Sequence, residues 1–238
     1  KRQFDQASAR YTEVLRSNPS HNTARLGLVR VRIATGDLPG AEQLANQALA
    51  EASAQQDRED QFLAHKVLAL LHKQMNQNEK RLGHLKAAVG FKPTDTESVV
   101  ELVDHYLYEK DDVQAEAALL NAANNGCAGP TFYERLVRFF IDKDVAQAET
   151  YANFGMESHP DSALVYILRG EVAEKMGHAK NARSYYTKAV EVEPGLSAGY
   201  LALSSIQQNF QIYTNISSLS FKSFIAGLED TKFFKKFY

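Results

Sequence analysis

Residues 163–194 read ALVYILRGEVAEKMGHAKNARSYYTKAVEVEP. The first half carries apolar residues at helical spacing from Ala163 to about Met176, and the second does so from about Lys180 to Glu193. Gly177 stands between them, a residue tolerant of the positive φ that ends a helix. Tyr166 is the large residue early in the first helix, and Gly170 lets the second helix approach where any side chain would hold it away. Ala182 and Ala189 are the small contact residues of the second helix, and Pro194 closes it. The stretch reads as one helix–turn–helix unit.

The same frame recurs along the chain. Pro19, Pro93, Pro160 and Pro194 each end a similar stretch. Gly129–Pro160 carries Phe132, Phe139 and Ala148, with Gly155 in place of the second alanine. Thr96–Cys127 carries Leu102, Tyr106, Ala115, Leu119 and Ala122. Phe62–Pro93 carries Leu68, Leu85 and Ala88, and Asn22–Ser53 carries Leu28, Gly36, Ala41, Ala45 and Ala48. Each pair has an apolar stripe too wide to bury on its own partner helix, so it must stack on its neighbours.

This pattern, with a period of about 34 residues, resembles the tetratricopeptide repeat over roughly Lys1 to Gln208. The resemblance implies an all-α fold, a right-handed α–α superhelical solenoid of helix hairpins. The expected division is a half-repeat at 1–20 and repeats at about 22–53, 62–94, 96–127, 129–161 and 163–195. An insert falls at Ala54–Gln61, and a further repeat starts at 197–209. Residues 210–238 are expected to form a divergent capping helix and an aromatic, basic tail. Lys1 falls at position fourteen of its repeat, so the chain is expected to be cut from a larger protein, with its true N-terminus absent.

In a stack of this kind the first helix of each pair lines a concave groove. The resemblance then implies a partner-binding face made by Lys66, Leu70, Lys73, Asp104, Leu107, Tyr108, Tyr133, Val137, Phe140, Ile141, Ile167 and Glu171. Its middle is apolar and aromatic, with a basic part before it and an acidic part after it. An amphipathic helix or extended peptide with apolar anchors suits such a face. Related co-chaperones hold a C-terminal carboxylate with a clamp of lysines and asparagines. Here only Lys66 matches the clamp, while Glu97, Glu101 and Glu134 stand at other clamp places.

No catalytic, cofactor or metal site is expected. Gly195-Leu-Ser197-Ala-Gly199 fits the pattern of a hydrolase nucleophile elbow, but that motif needs a strand before the serine, and here a helix precedes it. His65 and His72 lie on one face of one helix without the closer spacing or third ligand that zinc requires, and they read as packing or solvated residues. Cys127 sits in a turn with no second cysteine and no base beside it. The chain has 27 basic and 29 acidic residues, a net charge of −2, so no global field favours nucleic acid or an anionic membrane. No apolar run is long enough to span a bilayer.

The expected function is a non-catalytic scaffold that binds a protein or peptide partner, within a larger, bacterial protein or assembly. The alternatives are a regulatory or oligomerisation module of a larger enzyme, and an RNA-binding helical solenoid. Groove carboxylates such as Glu97, Asp104 and Glu171 oppose RNA. Homo-oligomers through the two irregular ends are a further expectation. The compartment is left open between cytoplasm and periplasm.

Overall fold

The computed structural model describes residues 2–206. All regular structure in this range is α-helical: α1 (Arg2–Ser17), α2 (Asn22–Thr35), α3 (Leu38–Ala54), α4 (Arg58–Gln74), α5 (Asn78–Phe91), α6 (Thr96–Tyr108), α7 (Asp112–Asn124), α8 (Pro130–Phe140), α9 (Val145–Ser158), α10 (Ala163–Lys175) and α11 (Ala179–Val192). A further helical stretch covers 197–206. The expected capping helix and tail at 210–238 lie outside the described residues. The residues that the repeat frame leaves over at Ala54–Gln61 mostly lengthen two helices, since α3 and α4 each have 17 residues.

Five helix starts are capped by aspartate. Asp37, Asp57, Asp95, Asp111 and Asp144 each accept a hydrogen bond from a backbone N–H two or three residues on. These bonds satisfy first-turn donors that the helix itself cannot. The turns within pairs share one geometry at α2–α3, α4–α5, α6–α7 and α10–α11. A residue in the left-handed region ends each first helix: Gly36 (φ 88°), Asn76 (φ 55°), Lys110 (φ 59°) and Gly177 (φ 77°). The next N–H then reaches back to the helix, with Asp37, Gln77, Asp111 and His178 donating to the carbonyls of Arg32, His72, Tyr106 and Ala173 at 2.8–3.0 Å. Two of the four turns do this without glycine, which is why only half of them announce themselves in the sequence.

The described residues form two compact units, which divide between Arg135 and Leu136, within α8. In the first unit the core runs along the hairpins. Ala41, Ala45, Ala48 and Ala52 form a fully buried stripe on α3, and it meets Leu26 and Val29 of α2 and Ala64, Val67, Leu68 and Leu71 of α4. Small residues at this helical spacing let backbones approach closely. A buried polar network ties the start of this unit together. The Arg25 guanidinium bonds to Glu51 and to the carbonyl of Pro19, both at 2.5 Å, and to Asn22, whose amide donates to the carbonyl of Ala48.

In the second unit Ala163, Ile167, Ala173, Ala182, Tyr186, Ala189 and Ile206 share one core. Gly170 lies beneath the ring of Tyr186, where a Cβ would press on Cε1 and lie 2.5 Å from Cδ1. The phenol donates to Glu174 at 2.5 Å. Burial, then Glu174 and Glu171, push its pKa well up, so it stays a donor.

Candidate functional site

In the first unit the first helices of three successive pairs, α2, α4 and α6, form a wall. A cavity of 310 Å³ opens on it, lined by Arg30 of α2, Lys66 and Leu70 of α4, Leu85 of α5, and Glu97 and Glu101 of α6. Helical periodicity places these groups, since Lys66, Leu70 and Lys73 are spaced by four and three residues. Leu70 is 37% exposed although it is apolar. A neighbouring cleft of 290 Å³, lined by Tyr11, Val14, Leu26 and Leu63, also has Arg30 on its rim.

Most charges on this wall are paired between successive hairpins. Lys66 Nζ lies 2.7 Å from Glu97 and 3.0 Å from Asp95. Lys73 and Arg81 both bond to Glu101, at 3.2 and 3.0 Å. Arg135 grips Asp104 with two parallel bonds at 2.6 and 3.0 Å. Burial alone would lower the Lys66 pKa, but bonds to Glu97 and Asp95 outweigh it and hold the ammonium above its ordinary range. Burial likewise opposes ionisation of Asp95 and Glu101. Ser98 and Lys66 for the first, and Arg81 and Lys73 for the second, still hold both carboxyls below their usual range. Arg30 is exposed and has no carboxylate partner among the described residues.

The expected groove residues therefore separate into two groups. Lys66, Leu70, Lys73 and Asp104 lie on the wall just described. Leu107 (36% exposed) and Tyr108 (80% exposed) stand at the C-terminal end of α6, reachable from solvent. Tyr133, Val137, Phe140 and Ile167 are not free surface: all four are buried, and Ile141 is half-buried. Phe140 stacks on Phe139 at 5.1 Å and on Tyr151 of α9 at 5.7 Å, so it is part of the α8–α9 hairpin. Ile167 belongs to the second unit's core. Glu171 is half-buried, with Arg138 at 3.6 Å. The expectation of an aromatic open middle fails because a first helix is contacted from both sides, and a position number fixes direction but not how far neighbours reach over it.

That Arg30 has no carboxylate partner was not legible in the amino-acid order, because pairing depends on which carboxylate the next hairpin supplies. It also missed that His65, His72 and His84 come together, since the third ring sits on the other helix of the pair. Among the described residues no group of three His, Cys, Asp or Glu side chains is arranged to hold a metal ion. Cys127 is buried, burial pushes its thiol pKa up, and its sulfur lies 3.6 Å from the Thr96 hydroxyl. Ser197 starts a helical stretch and carries no strand before it. Among the described residues no helix is long and apolar enough to cross a membrane.

Comparison with known proteins converges on one architecture. The tetratricopeptide repeat pattern matches residues 1–57 and again residues 163–195. Among solved structures, the C-terminal part of a TPR repeat-containing protein from Cytophaga hutchinsonii superposes with a TM-score of 0.66 at 14% identity, over 90% of this chain and 84% of that one. BtubC from P. vanneervenii gives 0.63 at 16%, over 81% and 89%. YrrB, described as a TPR protein with an unusual peptide-binding site, gives 0.54 at 12%, over 81% and 96%. At these identities the likeness is one of fold. The protein O-mannosyl-transferase TMTC1 of Homo sapiens is 22% identical over 80% of this chain, and the chain spans only 18% of that relative's length. Such repeats indicate a protein-interaction scaffold. Two matched segments, helix pairs throughout the described residues and like-folded neighbours lead to one conclusion: the chain carries tetratricopeptide repeats, matched at residues 1–57 and 163–195, in an all-α helical-repeat fold.

Proposed function

We propose that the protein is a non-catalytic scaffold, part of a larger, bacterial protein or assembly, whose first unit holds a peptide or partner segment against α2, α4 and α6. One observation carries the reading: an apolar residue, Leu70, and a cation without a carboxylate, Arg30, line the same 310 Å³ cavity. A ligand that offers an apolar side chain to Leu70 and a carboxylate to Arg30 suits both. Leu107 and Tyr108 extend the contact along α6, and Lys73 and Asp104 border it. Lys66 is held by two carboxylates, which opposes a clamp for a free chain terminus. Glu97 and Glu101 in the cavity oppose an RNA backbone.

Selection from a displayed peptide library tests this. Acidic–apolar peptides should be enriched on the wild type, and their binding should fall at least about tenfold with Arg30→Glu or Leu70→Lys while circular dichroism is unchanged. No enrichment, or binding indifferent to both substitutions, refutes the groove. A second reading, a module of a larger enzyme, is favoured by the human transferase relative. Finding an enzyme domain on the same polypeptide would support it.

A further inference from the structure

Three imidazoles meet at the α4–α5 hairpin. His65 Nδ1 and His84 Nδ1 lie 2.9 Å apart, so one ring donates to the other. His72 stacks on His84 with ring centroids 5.2 Å apart and planes 6° from parallel. His65 stacks in turn on Phe91 at 5.7 Å. His72 is 2% exposed, and its Nδ1 is buried without a hydrogen bond, as is Oε1 of Gln77, whose side chain gives a charged His72 only its smallest support. The arrangement accommodates neutral rings joined by one shared N–H. One further proton makes a single buried cation, and a second places two cations in contact across the hairpin, with no carboxylate between the rings to receive them.

We propose that His65, His72 and His84 form a proton-operated latch that keeps α4 and α5 closed at neutral pH and loosens them in mild acid. The surrounding charges do not cancel this. Glu42 of α3 favours a charged His72, but it is itself paired with Lys80 of α5 at 3.7 Å, and Lys80 opposes charge on His72 and His84. Arg58 of α4 sits over Phe91 at 5.5 Å. Arg81 of α5 and Glu101 of α6 are bonded to each other, Lys73 of α4 also goes to Glu101, and Lys66 of α4 goes to Asp95 and Glu97. Arg25 and Arg32 of α2 are engaged with Glu51 and Asp37. Arg30, the remaining cation of α2, acts on none of the three rings.

Burial is the main cause that lowers the proton affinity of all three rings, and it brings His84 down to about 4 with help from its two neighbours and Lys80. A histidine whose folded pKa lies below its ordinary value supports the fold fully above that value. Its support is lost as pH falls from about 6.5 towards about 4. Because α4 carries Lys66 and Leu70 and α5 carries Leu85, opening the hairpin also deforms the cavity wall. Acid release of a bound partner would follow, and that last step rests on the groove reading.

Hydrogen exchange of the whole chain, without any partner, tests the latch separately from the groove. Between about pH 7 and pH 5, after correction for intrinsic exchange, amides of α4 and α5 should lose about tenfold more protection than those of α10 and α11. His65→Gln and His84→Gln should each remove most of that excess. Equal loss in both regions, or a selective loss that survives both substitutions, overturns the proposal. If either variant is unfolded at neutral pH, titration of the ring protons of the wild type decides. A midpoint below about pH 5 for at least one of the three supports it, and three midpoints near the ordinary 6.5 overturn it.

Discussion

Gly170→Ala should destabilise the protein even though alanine is the better helix former. Its new Cβ would lie 2.5 Å from Tyr186 Cδ1 and 2.8 Å from Cζ, well inside van der Waals contact. The ring cannot simply yield, for Tyr186 is only 1% exposed and its hydroxyl is bonded to Glu174 at 2.5 Å. Overpacking of this kind costs about 1–3 kcal/mol, and exchanging glycine for alanine within a helix returns about 1 kcal/mol. If the displaced phenol also loses its carboxylate partner, a further ~1.5–3 kcal/mol goes with it. With that bond lost the expected net loss is about 1.5–5 kcal/mol, read from urea unfolding by circular dichroism. Gly83→Ala on α5 is the control: apart from its chain neighbours and its own helix backbone nothing lies within 4 Å of its new Cβ, so it should stabilise by about 0.5–1 kcal/mol. Gly170→Ala combined with Tyr186→Leu should lose less than the two single changes together, with a coupling of at least about 1 kcal/mol. A Gly170→Ala protein as stable as the wild type would refute the claim that this glycine exists to seat the tyrosine.

Other outcomes follow from the same geometry. Phe140→Ala should cost about 3–5 kcal/mol and reduce helicity, whereas Tyr108→Ala should change stability by less than about 0.5 kcal/mol, both read by thermal unfolding. Lys110→Gly should raise stability by about 0.5–1 kcal/mol in urea, since Lys110 holds a left-handed conformation (φ 59°) that costs an L side chain energy. Arg25→Met should lower it by about 1–3 kcal/mol, because Asn22, Glu51 and the Pro19 carbonyl lose their shared donor, and the loss should appear as faster hydrogen exchange in α2 and α3.

Local chemistry that repeats at fixed spacing was legible without coordinates. Gly36 and Gly177 as left-handed turn residues, the alanine columns of α3 and α11, Gly170 as a contact glycine and Pro194 after a helix end all carry a short-range physical signature: a backbone angle, a small volume or a missing N–H. Asn76 and Lys110 take the same turn conformation, but neither residue type requires it, so those turns were hidden.

The amino-acid order by itself determined the helix pairs, their register and the direction in which each first-helix residue points, because these follow from one chain segment's own period. Only the tertiary structure decided what lies over those residues. Phe140 and Ile167 turned inward under neighbours, Leu70 stayed bare, Lys66 found Asp95 and Glu97, and Arg30 was left alone. Likewise three histidines on two helices became one cluster. Exposure, charge pairing and proton affinity are sums over atoms from segments distant in the chain, and no single segment contains them.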